Sequence, residues 1–175
     1  RNTGGIVIAA KTAEGLRVMN QKIRDRELKK YYLCIVHGTL PRPAGRLEGY
    51  ILKDEAKKQV TVSSRPRPGA KTAVTLYETL AVRNGLSLVR CQLITGRTHQ
   101  IRAQFAAAGH PLLGDGKYGS ERQNKRYGRS YQALYSYRLE FCFTTDAGAL
   151  APLDGQQFQV EQVDFVTEYF PGFSL

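Results

Sequence analysis

Residues 73–94, AVTLYETLAVRNGLSLVRCQLI, decide the fold class. Two runs rich in β-branched and aliphatic side chains, 73–82 and 86–94, flank the dipeptide Asn84-Gly85. Asn and Gly tolerate the left-handed backbone of a tight two-residue turn, so this stretch predicts an antiparallel hairpin. Toward the N-terminus, further strands are expected at 59–62, 46–52 and 30–37. The last of these, KYYLCIVH, stops at Gly38, and PRPAG (41–45) reads as a loop. SSRPRPGAK (63–71) is a loop because its prolines cannot donate ladder hydrogen bonds. The apolar run GIVIAA (5–10) reads as a short buried strand. Residues 13–26 read as a helix with Leu16, Met19 and Ile23 on its inner face.

Toward the C-terminus, residues 98–108 form a second expected helix, closed by Gly109 and Pro111. A basic loop (120–130), a strand (137–144) and a short helix (160–170) stopped by Pro171 complete the pattern. Hairpins with a few interspersed helices give an α+β fold, a mixed, largely antiparallel sheet with flanking helices, expected as a single domain over 1–175. Neither GxGxxG nor GxxxxGKS is present, so the sequence offers no dinucleotide or P-loop signature.

Charge narrows the partner. The 175 residues hold 26 Lys and Arg against 15 Asp and Glu, a net +11. The acidic Asp154, Glu161, Asp164 and Glu168 lie after residue 150, where no basic residue stands, so the first 150 residues carry 26 basic against 11 acidic groups, or +15. A cationic body of this size favours a polyanion, since each neutralised phosphate releases counterions. No run approaches the roughly 20 apolar residues of a membrane-spanning helix, and no membrane partner is expected. Cys34, Cys91 and Cys142 sit singly in strand-like runs, and His37, His99 and His110 show no ligand spacing. This pattern predicts neither a disulfide framework nor a metal site, and suits a reducing, cytoplasmic setting.

Two stretches carry chemistry. In the helix expected at 98–108, Ile101, Phe105 and Ala108 make an apolar face, and Arg102 lies one position from its centre. A guanidinium held there needs a carboxylate or phosphate, either a local Asp or a ligand. In the strand expected at 30–37, alternation puts Tyr32, Cys34 and Val36 on one face and Leu33, Ile35 and His37 on the other. Tyr32 taken alone reads as a core aromatic with a polar tip.

Together, LITGRTHQIRAQFAAAGHPLLGDGKYG (93–119) and KKYYLCIVHG (29–38) resemble the RluA-type RNA pseudouridine synthases. ALYSYRLEFCF (133–143) is similar to that family's late core strand, and NTGGIVIAAKT (2–12) to the tail of its His-Arg-Leu-Asp active-site motif. The resemblance implies a pseudouridine synthase fold and the isomerisation of uridines in ribosomal or transfer RNA without a cofactor. It implies that Arg102 pairs with the nucleophilic aspartate, that Tyr32 packs against the base and aids later proton movement, and that Leu139 belongs to the apolar wall behind it. By the same alignment the aspartate would stand immediately before Arg1. The chain is thus expected to be a catalytic domain lacking its N-terminal part, inactive as it stands, with Asp115 in a structural turn role. A non-catalytic basic RNA-binding module on the same scaffold is the alternative.

Two positions depart from the family pattern: Gln104, where many members have histidine, and Leu134-Tyr135-Ser136, where many have Leu-His-Ala. RNA contact is expected from Arg97, at the opening of the helix, and from Arg122, Lys125, Arg126 and Arg129 around Tyr127 in the basic loop. Arg65, Arg67 and Lys71 offer a second, weaker basic loop.

Overall fold

The computed structural model describes residues 2–175. Its scaffold is a single sheet of eight strands: β1 (Gly4–Gly5), β2 (Leu28–His37), β3 (Ala44–Asp54), β4 (Gln59–Ser63), β5 (Lys71–Arg83), β6 (Leu86–Leu93), β7 (Leu134–Phe141) and β8 (Gln157–Gln159). The order across the sheet is β1-β7-β2-β6-β5-β3-β4, with β8 pairing β7. Every pairing is antiparallel except that of β1 with β7. The hairpin at Asn84-Gly85 closes β5 on β6 with Arg83 opposite Leu86, and both turn residues have positive φ, 51° and 75°. These are the backbone angles that the Asn-Gly pair supplies at low cost.

Central β2 has one side chain set on each face of the sheet. Cys34 and Val36 pack with Val89, Cys91, Ile101 and Phe105, beneath helix α2 (Gln100–Ala107). Leu33 and Ile35 pack with Leu88, Tyr137, Phe165 and Val166 on the opposite face, where the C-terminal helix α4 (Asp164–Tyr169) lies. The alternation expected for this strand is therefore the one that separates the two cores.

Several expected elements shift. The strand expected at 5–10 shortens to β1, whose pairing with β7 is extended only by the Ile6 amide donating to the Ser136 carbonyl at 2.8 Å. Val7 is then 86% exposed, although its neighbour Ile6 packs against Met19, Leu28, Leu139 and Phe141. Gly5 has φ +115°, and a Cβ there would fall 2.2 Å from the Ser136 carbonyl oxygen, so the close approach requires glycine. Helix α1 (Ala13–Arg24) forms where expected, and Thr12 caps it by accepting from the Gly15 amide. Its inner face is rotated, however: Gly15, Met19 and Lys22 are buried, whereas Leu16 is 52% exposed. Lys22 goes inside because Glu27 meets its ammonium at 2.7 Å and Thr145 accepts from it through both carbonyl and hydroxyl. A paired charge thus overrides the apolar count.

The remaining changes concern boundaries. α2 begins at Gln100, two residues later than the pattern suggests, because His99 takes a left-handed φ of 51°. The basic loop at 120–130 contains a short helix, α3 (Glu121–Arg126), and the strand expected at 137–144 lies instead at 134–141. The C-terminal helix is shorter than expected and follows β8. No helix among the described residues is long and apolar enough to cross a membrane.

Candidate active-site cleft

The start of the described chain, the middle of β2, the first turn of α2 and the two loops around α3 converge on a cleft of about 580 Å3. Asn2, Thr3, Tyr32, Arg97, Arg102 and Tyr131 are among its lining residues. Sequence separated by more than a hundred positions thus meets in one depression, because β1 and β2 both pair with β7.

Arg102 is the buried charge of the cleft. Its side chain is 11% exposed, and it grips a fully buried Asp115 through two parallel bonds, Nε to Oδ2 and Nη2 to Oδ1, each 2.7 Å. Asp115 also accepts from the backbone amides of Lys117 (2.8 Å) and Tyr118 (3.0 Å). Burial pushes the Asp115 carboxyl upward, but the guanidinium and the two amides outweigh it and hold it below the ordinary carboxylate range. Tyr118 lies under the guanidinium at 5.2 Å. Its hydroxyl accepts from the Val60 amide and leaves its own proton for Nδ1 of His99, 2.9 Å away. Burial, then the charges of Arg102 and Lys117, lower the His99 pKa, which fits a neutral ring with its proton on Nε2.

The local carboxylate expected as one option for Arg102 is therefore Asp115, so the guanidinium is already paired among the described residues. Two of its five N–H bonds serve Asp115, which leaves donors for a second acceptor in the cleft. Asp115 does more than shape its turn, because it holds Arg102 in place.

Two further supports hold this pair, one outside the motif and one within it. Asn124 on α3 is buried, and its carbonyl accepts from the Gly114 amide at 2.9 Å and lies 3.1 Å from Nε2 of His37. Its amide donates to the Asp115 carbonyl at 3.2 Å, so one side chain fixes the Gly114-Asp115 turn. Gln100 and Gln104, one turn apart on α2, are buried against β5. Gln104 donates to the carbonyls of Leu47 and Ala73 and accepts from the Thr75 hydroxyl, while Gln100 donates to the Val74 carbonyl. A buried amide with its bonds made acts as a directional anchor, and these two set the roll of α2 that aims Arg102 into the cleft. The i, i+4 pair of glutamines, on a helix whose only charge is Arg102, was the available cue.

Tyr32, Arg97 and Arg102 are brought together in the cleft; the other expected site residues are not. Leu139 packs with Met19, Leu28 and Phe141 in a separate core cluster. Its place on the wall of the cleft is taken by Leu134, because β7 runs antiparallel to β2 with a bulge beside Tyr32, which sets Ser136 opposite Tyr32 and Leu139 opposite Lys30. Arg97 precedes α2 instead of opening it, and its Nε donates to the Thr72 carbonyl at 2.9 Å. Arg122, Lys125 and Arg126 are exposed on α3, outside the cleft lining. Arg129 is withdrawn from that basic group: 18% exposed, it meets Glu168 at 3.1 Å and Asp164 at 3.8 Å and stacks over Phe165 at 5.3 Å. Arg1, toward which Arg102 was expected to point, lies outside the described residues, but its neighbours Asn2 and Thr3 line the same cleft. Among the described residues no three His, Cys, Asp or Glu side chains are grouped to hold a metal ion.

The sequence model of the RNA pseudouridylate synthases matches residues 1–107. The chain belongs to that family. An RNA pseudouridine synthase of Mycoplasma genitalium, itself described as uncharacterized, is 38% identical over 146 residues, covering 81% of this chain and 44% of its own length. The ribosomal large subunit pseudouridine synthase C of Escherichia coli is 31% identical over 150 residues, covering 82% of this chain and 46% of its own. This family member therefore spans about half the length of these curated relatives. The solved human RNA pseudouridylate synthase domain containing 4 superimposes with a TM-score of 0.67 at 21% identity, over 88% of this chain and 65% of that one. The pseudouridine synthase fold expected from the motifs is the fold found.

Proposed function

We propose that this chain forms the uridine-isomerising cleft of an RNA pseudouridine synthase acting on ribosomal or transfer RNA. The observation that carries the reading is the Arg102 guanidinium, fixed by Asp115 on one side and open to the cleft on the other, beside Tyr32 and Thr3. Pseudouridine formation breaks the glycosidic C–N bond, turns the base and rejoins it to the sugar through carbon. It needs a carboxylate beside the sugar, a cation to keep that carboxylate ionised, and a surface for the loosened base. Arg102 supplies the cation and Tyr32 with Leu134 the surface. The family's nucleophilic aspartate would reach the cleft from immediately before Arg1, along the segment that ends in Asn2 and Thr3. Such chemistry calls for no cofactor, and a reducing, cytoplasmic compartment suits the free thiols.

On this reading the 175 residues alone bind RNA without turning it over. The test is tritium release from RNA labelled at uridine C5. The 175-residue chain is expected to release none, and the same chain preceded by the family's His-Arg-Leu-Asp motif and strand is expected to release it in proportion to pseudouridine formed. Release by the chain alone would overturn the assignment of the nucleophile, and none from the extended chain would favour the binding module.

A further inference from the structure

Beside the cleft lies a second depression of about 370 Å3, and Leu93 and Arg97 line both. Five cations line it: Arg24, Arg26, Lys29, Lys30 and Arg97. None of its described lining residues is acidic or aromatic. The C-terminus of α1 accounts for Arg24, because cations favour the negative end of a helix. It does not account for Lys30 on β2 or for Arg97 after β6.

Lys30 is half-buried, and its ammonium has neither hydrogen bond nor ion pair among the described residues. Its ammonium lies over Gly96, 3.5 Å from where a Cβ would stand. Burial lowers its pKa, as it does for a cation stripped of water without a counter-ion. Arg26 is equally unexpected. It occupies the position just past α1 with φ 62°, where glycine is the usual residue, and its side chain is exposed. By contrast Lys29 is 3.6 Å from Glu140, and Arg24 donates to Gln21. Two cations are thus held at some conformational or solvation cost on one wall, their charges without partners among the described residues.

We propose that this depression is a phosphodiester subsite, in which Lys30 and Arg26, with Arg97 at the shared edge, hold the RNA backbone next to the uridine in the neighbouring cleft. The proposal rests on the synthase reading above. The absence of aromatic lining among the described residues favours backbone over base, since bases are held by stacking. Lys30 and Tyr32 are two residues apart on β2, about 6.6 Å along an extended strand, on the order of one nucleotide step.

The test is binding of a fluorescein-labelled, uridine-containing RNA hairpin by the 175-residue chain, between about 0.05 and 0.3 M salt. Lys30→Gln combined with Arg26→Gly is expected to weaken binding about tenfold at low salt and to flatten the log affinity against log salt slope by about 1 to 2. Lys30→Arg should keep the parent's slope. Arg26→Gly alone removes a cation while relieving the left-handed backbone, so it should melt no lower than the parent and still bind more weakly, which separates a weaker hold on phosphate from a damaged fold. If the parent binds RNA and these variants keep its slope, the subsite is wrong and the synthase reading stands. If the parent shows no salt-dependent RNA binding, the synthase reading falls together with the subsite.

Discussion

Arg102 and Asp115 stand 13 residues apart in sequence, on α2 and in the turn beyond it, and meet as a two-pronged ion pair at 2.7 Å on both arms. Asp115 is fully buried and Arg102 nearly so. The pair joins the helix that carries the cleft's cation to the loop that closes its side, so folding and site geometry depend on the same two bonds.

Removing one partner of such a pair leaves the other charged and desolvated. Asp115→Asn is expected to cost about 3 kcal/mol in urea unfolding. Arg102→Lys keeps the charge but not the fork, and should lose most of that stability as well. A change under about 0.5 kcal/mol in both variants, the range of ordinary surface substitutions, would mean that the pair does not hold the turn.

Acid should act on two buried carboxylates whose folded pKa lies below the usual range. Glu27 is lowered to about 2, chiefly by its bond from Lys22 and then by Thr144, and Asp115 is lowered by Arg102 and two amides against the opposing effect of burial. A depressed folded pKa contributes stability that is present above the unfolded value and lost as pH falls. For Glu27 the loss runs from about 4.5, its unperturbed value, down to about 2. The double variant Lys22→Met with Glu27→Leu should unfold with a shallower pH dependence across that window than the parent. Identical curves would remove Glu27 from the account.

Tyr32 packs beneath the cleft with the core beside Cys34 and Cys91. In a chain carrying the upstream motif, Tyr32→Phe is expected to leave RNA affinity within about twofold while slowing turnover on the order of 100-fold, the size of a lost proton-transfer group. Loss of affinity with unchanged turnover would make Tyr32 a binding residue only.

Arg129 and its neighbours should separate cleanly. Arg129→Ala, which loses Glu168, Asp164 and the face of Phe165, is expected to cost about 1 kcal/mol by unclasping α4. Replacing Arg122, Lys125 and Arg126 with Ala should leave unfolding unchanged and flatten the salt slope of RNA binding by roughly one for each phosphate no longer neutralised. A slope changed only by Arg129→Ala would reverse this division.

By itself the sequence determined the hairpin at Asn84-Gly85, the two-faced alternation of β2, the helix that carries Arg102 and the family to which they belong. Each of these is written locally, in turn chemistry, in period two or in a contiguous motif. Only the tertiary structure decided which partner Arg102 takes, which residue of β7 reaches the cleft and which way α1 rolls. Asp115 was visible as a turn residue, but its grip on Arg102 depends on Asn124 fixing the turn from α3. Leu139 gave way to Leu134 because the antiparallel pairing leaves Leu139 opposite Lys30, while the bulge beside Tyr32 brings Leu134 opposite Cys34. Lys22 went inside and Leu16 outside because Glu27 and Thr145, one nearby and one 123 residues away, satisfy its ammonium. Local pattern reports what a segment prefers, whereas burial of a charge depends on groups that only the folded chain brings within bonding distance.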